Sequence, residues 1–358
     1  MYLKSLILLT ITIFISCILS FSSCINYIIQ DNSHISENPS FETKFEDTRS
    51  QSFDLYAKLE KSPVEKLLFV FKYNETDDMW IEFKKCGINS IMSISAIYLA
   101  PNMKTGVDPD FSRKTVTFMK AYTDFIGPYI VSAKNNGDSG SPSFTGGWHG
   151  SNGNETGNPT ARTISVKVKT DSSYQAVEGV IPCYTAEIHV TNLIQGYNTK
   201  QQHREILLEN VYYGINNGRI DVRVETEALE DVSIQKYYGL QIQNNPWNQN
   251  ISFRIEKTKT TSENMLLTKI EHANRYYPTA EKLIINATYG KHRLEVWIDP
   301  TYGMGKMKYI SGDKPYAFSF KPTKGSGKSY FNLINGLEFS LPKDCKMYWH
   351  GGYVFSYK

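Results

Sequence analysis

From Leu67 onward, apolar and polar positions alternate with a period of two, in runs rich in β-branched and aromatic residues. LLFVFKY, MWIEFKK, KTVTFMKAY, ARTISVKVKT, AEIHVTNLI, RIDVRVET, RLEVWID and YAFSFKP are among them. Such alternation sends successive side chains to opposite faces of an extended strand. Turn chemistry separates several runs: Asn216-Asn217-Gly218, Tyr289-Gly290-Lys291 and Ser311-Gly312-Asp313 each predict a hairpin. Helical patterning is confined to Ser62 to Lys66 and Ser262 to Arg275. About fourteen strands without helices between them predict an all-β fold, an antiparallel β-sandwich of jelly-roll-like type.

One stretch breaks the alternation. Asn135 to Thr160 is dominated by Gly, Ser, Asn and Thr, and it is longer than a hairpin requires. It is the candidate internal boundary of the body, and loops of this length inside a domain usually carry function.

Composition adds what the chain is not. The 358 residues are 41% hydrophobic and 13% aromatic, enough to exclude wholesale disorder. Lys and Arg number 39 against 36 Asp and Glu, so no dominant field for nucleic acid is expected. Five cysteines exclude a disulfide-dense scaffold, and none has CxxC spacing, so neither a metal site nor a cofactor is expected.

The N-terminus reads differently from the body. Lys4 precedes an apolar run from Ser5 to Leu19, the order of an export signal. Phe21-Ser22-Ser23-Cys24 follows and resembles a bacterial lipobox, although Phe21 stands where that pattern has Leu, Val or Ile. The resemblance implies a signal peptide over 1–24 and a lipid on Cys24. A polar tether over 25–51 and the sandwich body over 52–358 would follow. Phe14-Ile15-Ser16-Cys17 is a competing site, and an uncleaved anchor or simple secretion are the alternatives. Each places the body outside the cytoplasm, and the lipid or apolar anchor makes the envelope membrane a partner.

Two motifs suggest chemistry that their surroundings do not support. Gly137-Asp138-Ser139-Gly140 matches a serine-protease nucleophile segment, but the only upstream histidine is His34 in the tether. Gly325-Ser326-Gly327-Lys328-Ser329 ends like a phosphate-binding loop, but strand pattern follows where a helix is needed.

Within the long loop, glycines flank Trp148 and His149, so two large side chains project where the backbone packs tightly. Either the pair is functional, or Trp148 plugs the end of the sandwich and His149 is a satisfied polar neighbour. Tyr237 and Tyr238 are adjacent on a strand, so they face opposite ways, and Gln241 and Trp247 lie just beyond. Aromatic faces and amides suit sugar rings and hydroxyls. The charged set Glu187, Asp221, Arg223, Glu225, Glu227, Glu295 and Asp299 fits solvated strand faces, and His189 fits a structural or surface position.

Asp124 to Tyr129, Gly146 to Gly150 and Ala161 to Thr163, with Ala228 to Asp231 and Tyr237 to Gln241, resemble segments of bacterial and phage-borne surface proteins associated with polysaccharides. The resemblance implies a glycan partner. One reading is cleavage by β-elimination, with His149 as base, Tyr237 or Tyr238 as acid, and Arg162 with Asn152 binding a uronate carboxylate. The other is a non-catalytic, glycan-binding or adhesive lipoprotein using Trp148, Gln241 and Trp247.

Overall fold

The computed structural model describes residues 55–60, 66–103, 109–113, 115–120, 124–171, 173–174, 179–244, 248–262, 265–266, 279–287, 291–320 and 327–357. Strands dominate, and the helical content among the described residues is one 3-10 turn, Gly303–Lys306. The chain is an all-β, antiparallel sandwich. The helical candidates around 62–66 and 262–275 fall almost wholly outside the described residues.

Three sheets form. The largest has eleven strands, and its centre runs Lys282–Ala287, His292–Ile298, Lys346–Tyr357, Arg219–Ala228, Glu205–Asn216, Ala186–Gln195 and Ala161–Thr170. A six-stranded sheet contains Leu55–Glu60, Lys66–Lys72, Asp77–Cys86 and Ile91–Pro101. A five-stranded sheet is built on Val232–Asn244 paired with Gly327–Leu341 and Tyr129–Ala133.

The large sheet buries one face. On its central strands Ile188, Val190, Val211, Tyr213, Val222, Val224, Trp349 and Tyr353 all lie inward and are nearly inaccessible to water. They meet both smaller sheets. Tyr213 packs edge-on against Phe83, and the Trp349 indole donates to the Tyr237 hydroxyl at 2.8 Å. The intervening positions, Glu187, His189, Arg219, Arg223, Glu225, Tyr348 and His350, turn outward and are half-buried or exposed. Alternation in the sequence therefore assigned the two faces correctly.

The expected strand pairing holds at two of the three hairpins. Asn217 and Gly218 take φ of 36° and 80°, the left-handed pair a two-residue turn needs, between paired strands. The strands flanking Tyr289-Gly290-Lys291 also pair antiparallel. Ser311 to Asp313 does turn the chain, with Lys314 N–H bonding Ser311 O at 2.9 Å, but the strands on either side do not pair with each other. Tyr309–Ile310 pairs parallel with Gly327–Leu341, and Ala317–Phe320 pairs antiparallel with the same strand.

The stretch from 135 to 160 does not separate two bodies. Leu55–Glu60, before it, pairs with Gly179–Cys183, after it, and the described residues fall within one unit, Ser50–Lys358.

Candidate functional site

The glycine-rich loop is a clasp. Gly146 and Gly147 take φ of 71° and 51°, and a Cβ on Gly147 would sit 2.2 Å from Asp124 Oδ1, so only glycine lets the backbone reach that carboxylate. The Trp148 amide donates to Asp124 Oδ1. Asn89, buried in the turn after Asp77–Cys86, donates to the carbonyls of Gly147 and His149 at 2.7 and 3.1 Å. Its own carbonyl accepts from the Thr160 amide at 2.7 Å. The middle of the loop and its C-terminal end are thus tied to one side chain.

His149 closes the clasp. Nδ1 lies 2.9 Å from Gly153 O and Nε2 lies 3.5 Å from Asp124 Oδ2. Burial alone would lower its pKa, but the hydrogen bond and charge of Asp124 with the Gly153 carbonyl outweigh it, and the pKa is raised. Both ring nitrogens of His149 therefore face protein acceptors. A raised histidine pKa stabilises the fold fully below its unfolded value, and that contribution disappears as pH rises through the folded value. The stability difference between wild type and His149→Gln is therefore expected to shrink as pH is raised through a range that starts at the ordinary histidine value of about 6.5, as read in thermal melts. A difference that stays constant across that range would show that the charged form plays no part.

The other residues singled out from the sequence do not assemble around His149. Tyr237 is 0% exposed and stacks on Tyr129 at 4.1 Å, so burial removes it as an acid for a polymer. Tyr238 is half-buried and meets His149 only through Phe144, whose ring lies 5.3 and 5.1 Å from theirs. Arg162 extends into solvent in a 2.8 Å pair with Glu205. Asn152 bonds Thr156 Oγ1 at 3.0 Å within the loop, and Gln241 is 2% exposed. Trp148 packs over Gly87 and lines a cavity of about 20 Å3 with Asp124, Asn192, Glu209 and Tyr213, so it plugs the sandwich. Trp247 and Cys24 lie outside the described residues.

Behind Trp148 sits Glu209, a buried carboxylate on the inner face of the large sheet. Oε2 accepts from the Tyr129 hydroxyl at 2.6 Å and Oε1 from Asn192 Nδ2 at 3.0 Å. Burial raises its pKa, and these bonds only partly offset that.

The outward face of the large sheet holds the chemistry that is still accessible. Cross-strand pairing aligns Lys167, His189, Tyr212, Arg223 and His350 in one row, and the Asp299 amide donates to His350 O at the end of it. His189 stacks on Tyr212 at 4.3 Å, and the Arg223 guanidinium lies 4.3 Å from the same ring centre. The result is a comb of flat groups standing side by side, which holds Arg223 in one orientation.

At the other end of the row, Trp297 lies over Gly352. A Cβ there would meet Ile220 O at 2.6 Å and Trp297 Nε1 at 3.0 Å, so glycine makes the seat for the indole. Arg219 covers Trp297 at 5.5 Å, and His350 meets it edge-on at 5.0 Å. His350 Nδ1 is 3.8 Å from Asp299 Oδ2. Burial would raise the Asp299 pKa, but bonds from His350 and Thr301 hold it below the ordinary carboxylate value. His350 Nε2 is buried with no hydrogen-bond partner among the described residues. Such a nitrogen costs about 1–3 kcal/mol and calls for a functional account.

Trp297 and Asp299 also line an open depression of about 460 Å3, the size range of ligand sites, with Arg219, Lys282, Glu256 and Glu295 around it. Lys282 bridges the two glutamates at 3.2 and 2.8 Å, and both carboxyls stay below their ordinary pKa, Glu256 at about 2, because neighbouring cations outweigh burial. Charges of both signs therefore surround one indole.

No protein-family model and no curated protein matches the chain. Solved structures do align with it. The GH36 alpha-galactosidase AgaB from Geobacillus stearothermophilus covers 81% of this chain and 40% of its own, at 10% identity and a TM-score of 0.44. The galactosidase domain of the alpha-galactosidase-sucrose kinase AgaSK covers 81% and 40%, at 8% identity and 0.41. A putative mutarotase, YeaD, from Salmonella typhimurium covers 84% of this chain and 97% of its own, at 6% identity and 0.40. The chain spans about two fifths of the length of the alpha-galactosidases it resembles. Scores below one half fix neither a fold family nor an activity.

No sequence motif marks His350 or Trp297, and His189, Arg223 and Asp299 each have an ordinary explanation on their own strands. The signal lies in register between strands, which a single run of residues does not display.

Proposed function

We propose that this chain binds a carbohydrate on the outward face of its large sheet. The row from His189 to Asp299, ending at the Trp297-lined depression, carries the proposal. Trp297 supplies an apolar face for a sugar ring, while Arg219, Arg223, Lys282 and Asp299 supply donors and acceptors for hydroxyls and for a uronate carboxylate. A glycan array containing neutral and uronate chains tests this: binding is expected to at least one class, and silence across the array would end the proposal.

Cleavage by β-elimination is the second reading, favoured by the His350–Asp299 pair one strand from Arg223. In that reaction a base takes the proton α to the uronate carboxylate, the bond to the leaving glycosidic oxygen breaks, and that oxygen gains a proton. Arg223 would neutralise the charge that develops, and the His350 ring would have to turn so that Nε2 leaves its buried position. Incubation with uronate polysaccharides would then raise the absorbance of an unsaturated product, and His350→Ala would abolish the rise. Binding with no absorbance change leaves the protein a glycan binder.

The same proposal places the body at the bacterial envelope, outside the cytoplasm, held by a lipid on Cys24. Incorporation of a fatty-acid analogue that persists in Cys24→Ala would refute that attachment.

A further inference from the structure

We infer that the ligand of this face is a chain of several sugars lying across the strands, rather than a single sugar. The inference rests on the carbohydrate reading above and extends it to the length and direction of the ligand.

Neighbouring strands lie about 4.8 Å apart, close to the length of one pyranose unit along an extended polysaccharide. The polar row advances by one strand at each residue: Asp299 beside His350, then Arg223, then Tyr212, then His189. Trp297 and Tyr212 are separated by three strand spacings, roughly 14 Å, which exceeds one sugar. The two ends also differ in kind. Trp297 lines the depression and can take a ring against it. Tyr212 has one face on His189 and the other under Arg223, so its faces are taken and it presents an edge. The far end therefore recognises substituents of a sugar by hydrogen bonding, not by stacking. Tyr212 acts there as a positioning residue: it holds the Arg223 guanidinium against its ring face on the outward side of the sheet.

This arrangement predicts a length ladder. A disaccharide engages the Trp297 end alone, and each further unit reaches another tooth of the comb until His189 is passed. Affinity should rise from two to four or five units and then level off.

The test uses the full-length protein and a size series, from one to eight units, of whichever chain binds on the array, with calorimetry as the readout. Wild type is expected to bind the hexamer at least tenfold more tightly than the dimer. In Tyr212→Ala the hexamer should fall to the affinity of the dimer, while dimer binding stays within twofold and so reports an intact fold. Tyr212→Phe keeps the stack and should retain most of the ladder. Equal affinity for one and six units, or an unchanged ladder in Tyr212→Ala, overturns the inference while leaving the carbohydrate reading in place. If no chain of any length binds, that reading itself fails.

Discussion

Trp297→Ala is expected to lower carbohydrate affinity by about tenfold to a hundredfold, or roughly 1.4–2.8 kcal/mol. The indole is the large apolar surface of the depression, and Gly352 leaves no side chain beneath it to replace what is removed. Its loss also frees Arg219, which lies over the ring, and His350, which meets its edge, so the neighbouring polar groups lose their fixed orientation. Trp297 is half-buried and faces away from the core, so the melting temperature should change little. Calorimetry with an array-selected glycan checks both statements. Affinity within twofold of wild type would place the binding site elsewhere.

The second large effect lies in the core. Glu209→Ala is expected to cost about 1–3 kcal/mol, since it strands the Asn192 amide in a dry interior and leaves the Tyr129 hydroxyl only Thr226 Oγ1 to bond. Glu209→Gln should behave in the opposite way at neutral pH. The amide oxygen can still accept from Asn192, its NH2 can donate to the Tyr129 oxygen, and the Tyr129 hydroxyl can turn to Thr226 Oγ1 at 3.0 Å. The sign follows from linkage. Burial raises the folded pKa of Glu209, so the folded state holds a proton that the unfolded state releases, and stability falls as pH rises above about 4.3. A glutamine removes that loss. Thermal melts from pH 4 to 8 should show wild type losing ground to Glu209→Gln as pH increases, and parallel curves would mean that Glu209 does not titrate differently on folding.

Much of the architecture was legible in the sequence because a sandwich writes its two faces into every strand. In Asp221-Val222-Arg223-Val224-Glu225 the valines are buried and the arginine and glutamate are half-exposed, as alternation requires, but Asp221, expected on the solvated face, is 0% exposed beneath its 2.9 Å pair with Arg219. The same rule turns Glu209 inward beside Val211 and Tyr213, although nothing in its neighbours announces a buried acid. Trp148 and His149 illustrate the opposite case. Their glycine flanks correctly signalled a tightly packed loop, but packing was the purpose: the glycines bring backbone to Asp124, and His149 is spent on holding it there. The outward row has no signature in the sequence because Lys167, His189, Tyr212, Arg223 and His350 lie 22, 23, 11 and 127 residues apart in chain order, with Asp299 a further 51 residues from His350. Only strand order and register bring them side by side.

The central claim is that ligand meets the outward face of the large sheet and not the glycine-rich loop. The five tryptophans of the chain make that claim measurable. With fluorotryptophan incorporated and each resonance assigned by a Trp→Phe variant, an array-selected oligosaccharide is titrated into the full-length protein and followed by fluorine NMR. The Trp297 resonance is expected to shift in a saturable way, while Trp148 and the buried Trp349 stay in place. A saturable shift of Trp148 with Trp297 unmoved would contradict the account.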